Sequence, residues 1–110
     1  MKAKSTLFIF AILSLLTVSS CQKELSDDHV KYLGQWGSDK HSIEIWKNGR
    51  GVYQKQNQEP QECNVVIKSD QIKFKTGAIL LKKFDILTDP YVDNSGNTVM
   101  ILDHRVFYKH

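Results

Sequence analysis

The sequence predicts a small all-β domain, an antiparallel meander of about seven or eight strands rolled into a barrel with one short helical turn ahead of it. Three observations point there. After Ser26, apolar and polar residues alternate with period two, as in Ser42-Ile43-Glu44-Ile45 and Ile72-Lys73-Phe74-Lys75, not with the helical repeat of about 3.6. Turn-forming residues arrive roughly every ten positions. A chain of 110 residues also has room for only one modest core.

The first element is not part of that domain. Lys2 and Lys4 form a positive leader, and Leu7 to Val18 is an apolar stretch of twelve residues broken only by Ser14 and Thr17. A permanent membrane helix needs roughly 20 residues, so the stretch matches the hydrophobic part of a secretory signal. Val18-Ser19-Ser20-Cys21 follows and resembles the lipobox of bacterial lipoproteins. That resemblance implies a signal peptide over residues 1–20, palmitate-type acyl chains on Cys21 and a membrane partner reached through them. Two or three acyl chains hold a protein on a membrane essentially permanently, whereas one gives marginal binding. The alternatives are a soluble secreted protein whose Cys21 is an ordinary thiol, or a buried helix in a cytosolic fold.

Residues 21–28 read as the lipidated tether and 29–110 as the domain. Gln22 is not the Asp that retains lipoproteins in the inner membrane of enterobacteria. Lys23-Glu24 with Asp27-Asp28 resembles the Lys-acidic tag that carries lipoproteins to the cell surface in other bacteria. The outer membrane is therefore expected over the inner, although the same composition suits a plain polar tether.

Ser26-Asp27-Asp28 offers a helix cap before His29 to Leu33, and Gly34 stops the turn. Ser42 to Lys47 alternates as a strand and ends at Asn48-Gly49, the pair best suited to a tight hairpin. The chain returns through Val52-Tyr53-Gln54. A two-residue turn and a three-residue turn with a bulge differ by one in register, so either Val52 or Tyr53 shares the face of Ile43 and Ile45. A second hairpin sets Cys63, Val65 and Ile67 on one face, turns at Ser69-Asp70-Gln71, and returns through Ile72 and Phe74. Gly77 closes that unit. Ala78 to Thr88 reads as a long strand with a bend or bulge at Lys82-Lys83. Asp89 to Asn97 reads as a loop, and Thr98 to Tyr108 as a last strand.

A short helical turn followed by Gly34-Gln35-Trp36 resembles the Gly-x-Trp element of lipocalins and of smaller lipocalin-like lipoproteins. The resemblance covers about residues 29–110 and implies a barrel whose closed end is plugged by Trp36, with Arg105 lying over the indole. Such a contact contributes about 0.5–2 kcal/mol. The chain is short for a full lipocalin and lacks its C-terminal helix, so the interior is expected to hold mostly side chains.

Charge and motifs exclude several functions. Without Lys2 and Lys4 the 15 basic residues fall to 13 against 12 acidic ones, and they are dispersed, which removes nucleic acid as a partner. His29, His41, His104 and His110 show no metal-ligand spacing, Cys63 has no nearby cysteine, and no cofactor is implied. Asp89, Asp93, Asn94, Ser95 and Asn97 lack the order of a calcium loop. Cys63 alternates with Val65 and Ile67 and is expected as a buried apolar side chain.

No catalytic motif appears, so no enzyme is expected. Asp103-His104-Arg105 reads as a salt-bridged barrel end, with Asp103 and Arg105 on one side of a strand and His104 on the other. Tyr91, Asp93 and Asn94 are the candidate contacts with a partner. The expected function is a monomeric, membrane-anchored binding or interaction module that meets an apolar small molecule or an envelope protein at the Asp89–Asn97 loop or the barrel mouth. An enzyme inhibitor or envelope-assembly factor docking through a loop is the runner-up, and a small hydrolase the third.

Overall fold

A computed structural model of the chain describes residues 24–110, so the leader and Cys21 lie outside the described residues. The strands are β1 (Gly34–Gly37), β2 (His41–Ile45), β3 (Arg50–Lys55), β4 (Gln61–Lys68), β5 (Gln71–Thr76), β6 (Ile79–Val92), β7 (Thr98–Leu102) and β8 (Arg105–Lys109). They close in chain order into an antiparallel barrel in which β8 returns to pair with β1. Closure leaves no sheet edge exposed.

A 3-10 turn, Asp27–Tyr32, precedes the barrel. Ser26 occupies its N-cap position but makes no side-chain cap bond, and Leu33 ends the turn in extended geometry. The Leu25 N–H donates to the Lys47 carbonyl at 3.0 Å, and the Leu25 side chain is buried in the core. The folded body thus begins at Leu25, earlier than the expected boundary at residue 29.

The hairpin at Asn48-Gly49 is the three-residue form with a bulge. The Trp46 N–H donates to Arg50 O, the Gly49 N–H donates to Trp46 O, and Gly49 sits at φ 88°. Ile43 therefore faces Tyr53, and Tyr53 points inward with Ile43 and Ile45. Gly51 also faces inward, paired with Ile45 on one side and Cys63 on the other. A Cβ there would collide with the Glu44 carbonyl oxygen and would come within 2.9 Å of Val65 Cγ2, so only glycine fits.

The bulge expected near Lys82-Lys83 lies at Leu81, between the pairs Phe74–Lys82 and Lys75–Leu80. The extra residue lets Leu81 pack against the core while Lys82, Phe84 and Ile86 share the inward row. β6 then runs much further than expected. It pairs with β5 down to Asp85 and with β7 from Ile86 to Val92, forming the corner of the barrel.

Two expectations are corrected here. The loop is only Asp93 to Asn97, because Asp89, Pro90, Tyr91 and Val92 belong to β6. Pro90 is tolerated because the register slips between Thr88 and Tyr91, where its missing N–H costs no ladder bond. Thr98 to Tyr108 is not one strand but a hairpin turning at Asp103 (φ 50°) and His104 (φ 65°). Both central residues adopt positive φ, the two-residue geometry that usually recruits Asn and Gly. Asp103 and Arg105 are consequently not neighbours on one strand face.

Inside, Trp36, Ile72, Phe74, Phe84, Met100, Leu102 and Phe107 are fully buried in one cluster. The interior is packed side chain rather than a hollow calyx.

Candidate functional site

The barrel has two unlike ends. At the closed end the Trp36 indole N–H donates to the Tyr32 carbonyl at 3.0 Å, so the 3-10 turn lies across the opening. The Tyr32 hydroxyl donates to Asp89 Oδ1 at 2.7 Å and Lys31 Nζ contacts Oδ2 at 3.0 Å, fastening the turn to β6. Burial and the Asp89 carboxylate raise the Tyr32 phenol above its ordinary range. The Tyr32 and Lys31 bonds hold Asp89 below the usual carboxylate value.

The cation over Trp36 is Lys109, whose Nζ lies 5.6 Å from the ring centroid, and not Arg105. Trp36 and Lys109 face one another across the β1–β8 seam, whereas Arg105 starts β8 at the far end and donates to Asp39 Oδ1 at 3.0 Å. Gly34 holds the seam close, at φ 120° beside the Lys109 stem.

At the mouth, the opposite end, the buried row of β2 opens with a histidine. His41 is 8% exposed, and its Nδ1 lies 3.1 Å from the Tyr53 hydroxyl. Its ring stands edge-on to Phe84 at 5.4 Å and stacks toward Phe107 at 6.4 Å. Burial first, then Lys82, Arg105 and Lys55, push the imidazole below its ordinary value, and burial raises the Tyr53 phenol. A neutral imidazole with a neutral phenol follows at pH 7. Lys82 occupies an inward position yet finds its carboxylate, Asp103, only at 3.9 Å, and its Nζ lies 5.1 Å from the Phe84 centroid. His41, Tyr53, Lys55, Gln58, Gln61, Leu81 and Lys82 line a cleft of about 280 Å³.

The exterior carries a third feature, on the wall formed by the lower part of β6 with β7 and β8. Tyr91 and Tyr108 flank Val99 from the neighbouring strands, being 45% and 46% exposed. Val99 is 2% exposed yet lies outside the interior cluster, because the two tyrosines cover it from outside. Val106, also exposed, extends the apolar surface. Beside it, a shallow groove of about 760 Å³ runs over Gly37, Ser42 and Arg105.

Of the candidate contacts, Tyr91 is therefore on a strand wall, and Asp93 is not directed outward. The Asp93 carboxylate accepts the N–H groups of Ser95 and Asn97, both at 2.9 Å, and so organises its own turn, with Asn94 at the tip. Cys63 is buried; its thiol faces the Gly51 carbonyl at 3.7 Å and burial pushes it up to about 11, leaving it a protonated, apolar core group at neutral pH. Among the described residues no three His, Cys, Asp or Glu side chains converge as metal ligands.

Sequence reasoning did not single out the His41–Tyr53 pair. The signal available was the spacing of His41 with Ile43 and Ile45, which continues the buried row one position past Ser42. No protein-family model, curated protein or solved structure matches the chain.

Proposed function

We propose that this chain is a lipid-anchored, non-enzymatic interaction module of the bacterial envelope, fixed to the outer membrane through Cys21 and meeting an envelope protein with its β6–β8 wall. The anchor rests on the pattern of residues 1–21. The partner surface rests on one observation, the Tyr91–Val99–Tyr108 row, which presents aromatic side chains of the kind that dominate interface hot spots. The packed interior favours this reading over carriage of an apolar small molecule, and the short, self-bonded Asp93–Asn97 turn offers little to a loop-docking inhibitor.

Geometry gives the anchored protein an orientation. Three residues lie between Cys21 and Leu25, so the four steps of chain reach at most ~14 Å at ~3.5 Å per residue. Leu25 is bonded to Lys47 beside the closed end. The closed end accordingly faces the membrane and the mouth points away from it.

The test compares envelope complexes of the wild-type chain and of Tyr91→Asp/Tyr108→Asp, solubilised in mild detergent. A partner present in fixed stoichiometry should be lost from the double variant and kept by Lys73→Gln on the neighbouring strand β5, outside the tyrosine row, with a cooperative melting transition retained in both. A complex that survives the double substitution contradicts the assignment.

A further inference from the structure

We infer that the barrel mouth is a binding site for a small oxyanion, a phosphate or a compact phosphate monoester, held between Lys55, Lys82 and the His41–Tyr53 pair. The site is independent of the outer-wall reading above. Its first support is Lys82. An ammonium on the inward row of a barrel loses hydration, and a well-formed close ion pair normally offsets the loss. Here the Asp103 carboxylate is 3.9 Å away, leaving the ammonium over the Phe84 ring with a third of the side chain exposed to the cleft. Lys55, at the mouth end of β3, makes no ion pair among the described residues. Arg105 is already engaged by Asp39, so the two lysines carry the local positive charge.

The second support is the hydrogen-bonded pair. If His41 Nδ1–H donates to Tyr53, the phenol O–H is free to donate onward; if Tyr53 donates to Nδ1, the proton sits on Nε2 and that N–H donates instead. Either tautomer leaves one donor besides the ammonium groups, and Gln58 and Gln61 border the same cleft. Among the side chains lining the cleft donors outnumber acceptors, as an oxyanion requires and a cation does not, and the nearby Asp103 carboxylate stands 3.9 Å from Lys82 without itself lining the cleft. The cleft, about 280 Å³, lies just below the ~300 Å³ at which drug-sized pockets begin. It therefore takes an oxyanion head with little body behind it.

The experiment titrates the full chain with inorganic phosphate at constant ionic strength, following the His41 ring and Lys55 signals by NMR. Saturable shifts are expected, together with a rise in the His41 titration midpoint as the bound anion offsets the lysine charges. Lys55→Gln, an exposed change, and Lys82→Met, an apolar replacement on an inward row, should each weaken binding roughly tenfold, the worth of one hydrogen bond to a charged group. Lys73→Gln, with the same charge change on the outer wall, should leave it unchanged. Displacement of phosphate by phosphatidylglycerol vesicles assigns the oxyanion to a lipid headgroup; displacement by glycerol 3-phosphate alone assigns it to a soluble monoester. Shifts that chloride reproduces, or that Lys73→Gln reduces as much as Lys55→Gln does, overturn the site. Lack of saturable change in the wild-type chain does so too.

Discussion

Trp36, Tyr32 and Leu25 seal one end of the barrel under a 3-10 turn, whereas at the other His41 and Tyr53 meet beneath Lys82, whose carboxylate Asp103 stands 3.9 Å away, and Lys55, which makes no ion pair among the described residues. The interior of the closed end is apolar, and the Tyr32 and Lys31 side chains of its cover are bonded to Asp89. The mouth places polar and cationic groups on the same inward rows that elsewhere hold Ile, Phe and Leu. One set of strands thus carries two chemistries: burial stabilises the fold at the closed end, and at the mouth the same rows give up stability to present charge.

Mutations at the two ends should therefore differ in size, read as urea midpoints of a domain this small. The largest effect is expected for Trp36→Ala, a loss of about 3–5 kcal/mol from an emptied aromatic site, enough to unfold much of the population. Retention of near wild-type stability would break the distinction. Gly51→Ala should cost about 2–3 kcal/mol, since its methyl meets the Glu44 carbonyl oxygen and Val65 in a closed core. Tyr53→Phe at the mouth should cost about 1 kcal/mol by leaving His41 Nδ1 without its phenol partner.

Acidification sharpens the same contrast. The folded His41 imidazole titrates below the unfolded value of about 6.5, so beneath that pH the unfolded chain binds a proton the barrel resists. Stability should be complete above pH 7, fall as pH drops below about 6.5, and level off once the folded group also titrates. His41→Phe should remove that slope. The smallest effect belongs to Lys82→Met, within about 0.5 kcal/mol of wild type or slightly stabilising, because an inward lysine without a close partner contributes little to folding. A large loss on that substitution would mean that Lys82 holds the mouth together.

Much of this architecture was legible in the residues. Period-two alternation and the turn formers gave the antiparallel barrel, Cys63 was placed in the core by its spacing with Val65 and Ile67, and the bulge fell one residue from the Lys82-Lys83 break. What escaped has physical reasons. The turn at Asp103-His104 uses two positive-φ residues without glycine, so no punctuation marks it. Pro90 reads as a loop residue until a register slip supplies a position that needs no N–H. Arg105 and Lys109 both lie in β8, and only the β1–β8 register decides which cation reaches Trp36. The His41–Tyr53 pair needed the bulged hairpin at Gly49, because a one-residue shift would have put Tyr53 outside.

The proposed anchoring of the barrel by its closed end can be tested in one measurement. Fluorophores are attached singly at Asn48 in the closed-end turn and at Gln58 in the mouth loop of the lipidated chain on vesicles, and quenching by a lipid-borne quencher is compared. The account predicts strong quenching at position 48 and little at 58. Equal quenching at both, or stronger quenching at 58, would contradict it.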